Sequence, residues 1–174
     1  MNNSMTENEQ TRIFNEWLRI HKGLFFKVVR AYGFTPHDRE DLFQDISIQV
    51  WKSIPSFRGD SAISTWIYRV ALYSAIAWTR REKKHYDGRQ ALAGSEQTLI
   101  SAEGLKDDRL DWLYEQIAQF NEIDRSLTLL LLDDFSYREM AVVLGISESH
   151  VGVKINRIKK RLRQKSMEAE HHGV

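Results

Sequence analysis

The chain has 174 residues, of which 42% are hydrophobic and 28% are charged, and its formal net charge is +1. Because it contains no cysteine, it can form neither a disulfide framework nor a thiolate zinc site. No apolar run approaches the roughly 20 residues that a membrane-spanning helix needs, and the first residues lack the pattern of a secretory signal. We therefore expect a soluble, cytoplasmic chain that is long enough for one ordinary domain or two small ones.

Helical periodicity dominates the first half of the chain. Apolar residues recur at helical spacing, and breaks in the pattern at Pro36 and around Gly59 separate one helix from the next. Asp38 is the expected N-cap of the second helix, and Ser64 or Thr65 is expected to start the third. The predicted helices cover residues 11–33, 38–53 and 64–84.

A stretch without periodicity divides the chain. Residues 85–106 gain Gly, Ser and Ala, which is typical of a linker, and the helical pattern resumes over 107–119 and 123–133. With two prolines and few turn clusters, the sequence predicts an all-α protein of two small helical domains joined by a flexible linker. The predicted bounds are 10–84 for the first domain, 85–106 for the linker, 107–165 for the second domain and 166–174 for a tail.

Residues 136–162, SYREMAVVLGISESHVGVKINRIKKRL, are typical of two short helices around a glycine turn. Ser136 is the expected N-cap of the first helix, with Glu139 as its capping-box partner. Gly145 suits the left-handed residue that ends a helix, and Ser147 is the next N-cap. The second helix has one narrow apolar stripe that would hold it to its own domain, formed by Val151, Ile155, Ile158 and Leu162.

The opposite face of this second helix is typical of a helix that reads the DNA major groove. Arginine can fork onto guanine, serine and asparagine can bond base edges, and valine can touch a thymine methyl. An excess of basic residues between 136 and 165 would attract phosphate, although a solvated, charged helix is the alternative. The candidate DNA-binding residues are Ser149, Val153, Asn156, Arg157 and Lys160, flanked by His150, Lys154 and Arg161.

A polar patch is predicted on the second helix of the first domain. Asp41, Gln44 and Asp45 stand at positions i, i+3 and i+4 and therefore share one face. On spacing alone, a solvated acidic face of an amphipathic helix is the favoured interpretation. The buried side of the same helix is predicted to consist of Leu42, Phe43, Ile46 and Val50.

A short polar loop followed by a helix rich in aromatics and arginine lies at residues 57–71, FRGDSAISTWIYRVA, and the cations continue to Lys84. Aromatic rings stack on unpaired bases while cations hold the DNA backbone, so this pattern suits single-stranded DNA. The alternative is that Trp66, Tyr68 and Trp78 serve only as core residues, since large aromatics dominate small cores.

These segments, in this order and separation, resemble a bacterial RNA polymerase sigma factor of the extracytoplasmic-function (ECF) group of the sigma-70 family. The resemblance covers about residues 12–165 and rests on DLFQD, on FRGDSAISTWIYRVA and on LLLLDDFSYREMAVVLGISESHVGVKINRIKKRL. It implies that residues 10–84 are sigma region 2 and residues 107–165 are region 4. It also implies a non-enzymatic role, with no cofactor or metal, in promoter recognition and DNA melting by core RNA polymerase.

The resemblance further implies partners and site residues. The expected partners are the clamp coiled coil of the largest polymerase subunit, the flap region of the second-largest subunit, duplex and single-stranded promoter DNA, and an anti-sigma factor. Asp41, Gln44 and Asp45 would bind the clamp, and the second helix of the helix-turn-helix would read the −35 element. The residues expected at the −10 element are Arg58, Gly59, Asp60, Ser61, Ala62, Ser64, Thr65, Trp66, Tyr68, Arg69, Tyr73, Arg80 and Arg81.

Three positions depart from the family pattern. Tyr73 and Ala77 stand where polar residues are usual, which affects the expected readout of the −10 element. Gly152 stands where a basic residue is common, so either the −35 specificity is atypical or the helix approaches DNA closely there. A glycine inside a helix also costs roughly 1 kcal/mol relative to alanine.

Two other classes of protein are weighed against this interpretation. A stand-alone regulator that binds an operator through its helix-turn-helix would explain residues 107–165 but would leave FRGDSAISTWIYR unexplained. An enzyme with a metal or acid–base site would need His and carboxylate residues at ligand spacing. Apart from chance neighbours, the histidines of this chain do not show that spacing with carboxylates on one helix face.

Overall fold

The computed structural model describes residues 5–87 and 107–171. Within these ranges the chain is helical and contains no β-strand, so the predicted all-α class is confirmed. The described residues divide between positions 106 and 107 into two compact units. The elements are α1 (Glu7–Tyr32), α2 (Pro36–Ser53), a 3-10 turn (Ile54–Ser56) and α3 (Ile63–Asp87) in the first unit, and α4 (Asp108–Ala118), α5 (Glu122–Leu132), α6 (Tyr137–Leu144) and α7 (Glu148–His171) in the second.

Two helices continue beyond their predicted ends, one into the predicted linker and one into the predicted tail. The first residues of the predicted linker, 85–87, continue α3, and the rest of it lies outside the described residues. The predicted tail begins inside α7, which continues to His171, and residues 172–174 lie outside the described part.

Capping boxes set the first two helix starts. Thr6 caps α1 and Glu9 closes the box, so α1 begins several residues before the apolar periodicity does. The prediction that Asp38 caps α2 is wrong, because Thr35 is the N-cap and Asp38 is its partner three residues on. Pro36 fills the first helical position, where a missing N–H costs nothing.

The core of the first unit lies where α1, α2 and α3 pack against one another. The amphipathic character of α2 is clear, because Leu42, Ile46 and Val50 are fully buried while Asp41 and Gln44 are exposed. Burial of such side chains, at about 1.5–3 kcal/mol each, stabilises the packing of the three helices. The fully buried residues are Phe25, Val28, Tyr32, Leu42, Ile46, Val50, Ile67, Ala71, Leu72 and Ala75.

The second unit builds the helix-turn-helix on α4 and α5. The predicted capping box of Ser136 and Glu139 starts α6, and Gly145, with a φ of 67°, ends it in the left-handed conformation. Ser147 accepts a hydrogen bond from the His150 N–H at the start of α7. The core is formed by Ile117, Leu127, Leu130, Met140, Val143, Val151, Ile155 and Ile158.

Candidate nucleic-acid and protein interfaces

The α2 patch, defined as Asp41, Gln44 and Asp45, lies on the solvent side of α2. Asp41 and Gln44 are exposed, and Asp45 is half-buried. The Asp41 carboxylate lies 3.3 Å from Nε2 of His37, one turn earlier on the same helix. Asp45 accepts a hydrogen bond of 3.1 Å from Nη2 of Arg81 on α3. The patch therefore offers acceptor groups to solvent from a helix whose other side is locked in the core.

An exposed aromatic pair on α1 and α2 was not among the predicted site residues. Phe43, predicted on the buried side of α2, is half-buried, and its ring stacks on that of Phe26, with centroids 5.7 Å apart. Phe26 is 49% exposed, and the Lys22 ammonium lies 5.5 Å from its ring centroid. The spacing of Lys22 and Phe26 at i and i+4 is the sequence signal that marks this surface.

The loop between the 3-10 turn and α3 presents its polar residues to solvent. Gly59 has a φ of 77°, which L-residues rarely adopt, and a Cβ added there would meet no atom within 4 Å. The open space beside the loop leaves room for a bound group. The exposed residues are Arg58, Gly59, Asp60, Ser61 and Ala62.

An aromatic cluster anchors both ends of this loop. Phe57 lies before it and Trp66 lies after it, and their ring centroids are 5.3 Å apart. Trp17 of α1 packs edge-on against both, at 5.3 Å from Phe57 and 5.5 Å from Trp66. Trp66 is half-buried in this cluster, where its ring contacts both Trp17 and Phe57.

Tyr68 and Trp78 are core residues of α3. Tyr68 is 1% exposed and Trp78 is 8% exposed. The interpretation of Tyr68 as a base-stacking residue is corrected, because its ring lies on the same side of α3 as Leu72 and Ala75, in the core. Among the aromatic side chains that the structure describes between residues 63 and 82 of this helix, Tyr73 is the exposed one, with 46% of its surface exposed.

One face of α3 combines cations with an exposed ring. Arg69, Tyr73, Ala77 and Arg80 follow one another at helical spacing, and all are exposed. The Arg69 guanidinium lies 6.0 Å from the centroid of the Tyr73 ring. Arg81 flanks this face, while Ser64 and Thr65 at the start of the helix are half-buried. We call Arg69, Tyr73, Ala77 and Arg80 the α3 face.

The predicted reading face of α7 is open to solvent. Its apolar stripe is buried against α5 and α6, which turns the other side of the helix outward. Val153 is 49% exposed, and it is the one exposed large apolar side chain between residues 149 and 161. The exposed predicted residues are Ser149, His150, Val153, Asn156, Arg157, Lys160 and Arg161.

Lys154 and Gly152 have different surroundings from those predicted. Lys154 is half-buried and lies 2.8 Å from a carboxylate oxygen of Asp124 on α5. Gly152 faces α6, since a Cβ added there would meet the Tyr137 ring at 3.7 and 3.9 Å. These are ordinary van der Waals distances, so packing within the unit does not require a glycine at this position.

Two of the capping boxes lower the pKa of the glutamate that closes them. The Ser136 backbone N–H and hydroxyl both donate to the Glu139 carboxylate, and these bonds lower the pKa of Glu139 from its ordinary value. Thr6 lowers the pKa of Glu9 in the same way. Burial lowers the pKa of His21, which lies at a kink in α1.

Comparison with known proteins gives the family. The model of sigma-70 region 2 matches residues 17–85, and the model of sigma-70 region 4 matches residues 110–162. Together they match more than half of the chain. The chain belongs to the sigma-70 family. Its curated relatives place it in the ECF group, as the resemblance implied.

Three relatives illustrate the similarity. The RNA polymerase sigma factor YlaC of Bacillus subtilis is 30% identical over 139 residues, which are 75% of this chain and 80% of the relative. The ECF factor SigW of the same organism is 26% identical over 163 residues, or 87% of each chain. The ECF sigma-E factor of Escherichia coli is 28% identical over 144 residues, 74% of this chain and 73% of the relative.

Two solved structures share the fold. CnrH, solved with the cytosolic domain of CnrY, superposes with a TM-score of 0.63 at 20% identity and covers 91% of this chain and 90% of its own. The sigma factor RpoE of Bartonella quintana, solved with the anti-sigma factor NepR, gives a TM-score of 0.70 at 18% identity, over 86% and 93%.

The predicted function is confirmed at the level of the family. This ECF sigma factor is a DNA-binding transcription factor that works with core RNA polymerase and directs transcription initiation at promoters. The alternative function, a stand-alone transcriptional regulator, is not better supported than the sigma factor. Among the described helices, none is both long enough and apolar enough to cross a membrane.

Proposed function

We propose that the two units divide promoter recognition between them. The unit with α1 to α3, predicted as residues 10–84, binds the polymerase clamp and the −10 element, and the unit with α4 to α7 reads the −35 element. The observation that carries this proposal is the α3 face, an exposed surface of cations and one aromatic ring that lies outside the helix-turn-helix. A stand-alone operator-binding protein needs the helix-turn-helix alone, whereas a factor that also captures a melted strand needs both.

The α2 patch is the proposed contact with the clamp coiled coil of the largest subunit. Its acceptor groups stand on a helix held rigidly by Leu42 and Ile46, which are fully buried. A rigid helix presents its carboxylates without a large ordering cost, and carboxylates pair with the cations of a partner helix. The stacked rings of Phe26 and Phe43 on the same unit provide apolar area for a protein contact.

The −10 element is proposed to be captured by the loop and by the α3 face. Taking a base out of the duplex costs a few kcal/mol, and stacking on an aromatic side chain offsets about 1–3 kcal/mol per base. The loop that begins at Arg58 is exposed and has open space at Gly59 for a flipped base. Tyr73 supplies the exposed ring, and Arg69 and Arg80 supply charge for the strand backbone.

The −35 element is proposed to be read by α7 in the major groove. Arg157 and Asn156 stand side by side on the exposed face, where a fork and an amide can bond base edges. Lys160, one turn beyond Asn156, suits a phosphate contact. We further propose that the flap of the second-largest subunit binds this same unit.

Three wider assignments complete the proposal. The factor is not an enzyme, because polymerase supplies the chemistry of RNA synthesis while this chain supplies recognition. It acts in the cytoplasm, where bacterial polymerase works. An anti-sigma factor regulates it, by analogy with RpoE of Bartonella quintana, which was solved with the anti-sigma factor NepR.

The decisive experiment is co-elution of the full chain with bacterial core polymerase, followed by transcription from a pooled promoter library. We expect a stable complex and initiation at a subset of promoters, whose shared sequences give the −10 and −35 elements. Core polymerase without the chain is the control. Duplex binding by the chain alone, without binding to core, would reject the proposed division of labour.

A further inference from the structure

Two of the cations predicted to contact DNA also contact the unit's own scaffold; Lys154 is half-buried there, and Arg161 is still exposed. Lys154 and Arg161 lie two turns apart on α7 and therefore share one side of the helix. The Lys154 Nζ lies 2.8 Å from Oδ1 of Asp124 on α5, and the two side chains are 20% and 22% exposed. The Arg161 guanidinium lies 4.9 Å from the centroid of the Phe120 ring, just before α5. Both cations thus contact the α4–α5 corner, defined as residues 118–125.

The Asp124 carboxylate is held in place by the cap of its own helix, independently of Lys154. Asn121 caps α5 by accepting a hydrogen bond from the Asp124 N–H at 2.9 Å. The Asn121 side-chain amide donates to the other carboxylate oxygen of Asp124, also at 2.9 Å. One oxygen therefore belongs to the helix cap and the other to Lys154, so the carboxylate cannot turn without breaking a bond.

A buried arginine makes the rest of the corner rigid. Arg125 is 6% exposed, and its Nη2 donates to the carbonyls of Ala118 at 2.8 Å and Phe120 at 3.1 Å. These bonds tie the end of α4 to the start of α5. Phe120 itself is 4% exposed, so the ring beneath Arg161 is part of the core. The corner is a preformed platform for two points of α7.

We propose that Lys154 and Arg161 are positioning residues that set the orientation of the recognition helix, and that they are not readers of the −35 element. The inference rests on the proposed function of α7. A side chain that reads a base must be held within about half an ångström of its bonding position, and α7 is otherwise held by a narrow apolar stripe. The two polar contacts, on one flank of that stripe, stop the helix from rolling about its axis.

The proposal narrows the surface that discriminates between promoters. It assigns readout to the residues of α7 that lie opposite its apolar stripe. Substitutions of the reading residues should change which −35 sequence is preferred. Substitutions that break the contacts with the corner should instead weaken the preference for any −35 sequence. The reading residues are Ser149, Val153, Asn156 and Arg157, and Lys160 beside them is the proposed phosphate contact.

The test uses the full chain in complex with core polymerase and a promoter selected from the library, with the −35 element intact or scrambled. The variants are Lys154→Met, Asp124→Asn and the two combined. The readout is the ratio of affinities for the two promoters, together with the slope of log affinity against log salt. Because a scrambled element shares the backbone of the intact one, the ratio removes any general effect of a changed charge.

We expect each single variant to lower the ratio of affinities by about fivefold or more, which is the discrimination that one base pair carries. The double variant should lower the ratio no further than either single variant, because both changes break the same ion pair. The salt slope of Lys154→Met should equal that of the parent. Lys160→Met, on the reading side, should instead reduce the slope by about 1. Lys154→Arg keeps the ion pair and should restore the ratio.

The opposite result is equally clear. If Lys154 contacts DNA, Lys154→Met reduces the salt slope by about 1, and Asp124→Asn leaves the ratio unchanged because it only releases the lysine. That outcome would overturn the proposal while leaving the sigma factor assignment intact. A parent complex that does not distinguish the two promoters would instead reject the proposed reading of the −35 element by α7.

Discussion

Arg81 donates from Nη2 to Oδ2 of Asp45 at 3.1 Å, and so joins a residue assigned to the DNA strand to one assigned to the polymerase clamp. The Arg81 side chain is 56% exposed, so this ion pair contributes on the order of 0–1 kcal/mol to stability. Its importance is that a change at either residue alters two surfaces at once. Impaired initiation by an Asp45 variant would not tell which surface was responsible.

The α2 patch is therefore best tested at Asp41 and Gln44. We expect Asp41→Ala combined with Gln44→Ala to weaken binding to core polymerase by roughly 1–3 kcal/mol, because two central polar contacts are lost. Thermal unfolding should be unchanged, since both side chains are exposed. Glu16→Ala, an exposed acid on α1, is the matched control. If the double variant bound core polymerase as tightly as the parent, the assignment of the α2 patch to the clamp contact would be wrong.

Tyr68 and Tyr73 form a matched pair on α3, one buried and one exposed. Tyr68→Ala should destabilise the fold by about 3–5 kcal/mol, as expected for a large ring removed from a core. Tyr73→Ala should leave stability nearly unchanged and cost about 1–3 kcal/mol in binding to a promoter fragment with a single-stranded −10 region. Denaturant unfolding and fragment binding by the polymerase complex measure the two effects. Unchanged fragment binding by Tyr73→Ala would contradict the stacking role.

Comparing α3 with the helix-turn-helix shows which features the sequence predicts and which it does not. Local rules predicted the helix-turn-helix well, because the Ser136 capping box and the Gly145 turn are made by residues close together in the chain. On α3, aromatic and aliphatic residues occur on every side between 66 and 78, so the pattern does not show which side is buried. Packing against α1 and α2 decides this, and it buries Tyr68 while exposing Tyr73.

Long-range pairing accounts for the other differences. Lys154 and Asp124 are 30 positions apart, and nothing in the residues around Lys154 distinguishes a lysine that pairs internally from one that faces DNA. The early start of α1 had a local signal, because Thr6 and Glu9 form a capping box, but it lies ahead of the apolar periodicity. Apolar periodicity predicts the packed part of a helix, whereas capping residues predict where the helix begins or ends.

Arg157 is predicted to carry discrimination at the −35 element. Arg157→Ala should reduce the preference for the intact element over single-base variants by about 1–3 kcal/mol, if its guanidinium forks onto a base. Arg163→Ala, an exposed arginine further along α7, should weaken all sequences alike. Equilibrium binding of the polymerase complex to a panel of promoters separates the two. A uniform loss in Arg157→Ala would make Arg157 a phosphate contact.

Gly152→Ala should stabilise the protein by about 0.5–1 kcal/mol. The position lies inside α7, and an added Cβ would meet ring carbons of Tyr137 at 3.7 and 3.9 Å, an ordinary van der Waals contact. Gly145→Ala is the contrasting control and should destabilise by about 1 kcal/mol, because its φ of 67° disfavours a Cβ. Urea unfolding of the full chain measures both. A loss of stability in Gly152→Ala would show that the glycine is required.

Glu139 should make the helix-turn-helix sensitive to acid. Its folded-state pKa is lowered from 4.5 by hydrogen bonds from Ser136, so the unfolded chain binds this proton more readily. The stability contributed by the cap is therefore fully present above about pH 4.5 and is lost as the pH falls toward the folded-state pKa. Glu139→Gln keeps a side-chain acceptor but does not titrate. The difference in denaturation midpoint between parent and variant should shrink from about pH 7 to about pH 3. A difference that stays constant across this range would show that the carboxylate charge does not contribute to the cap.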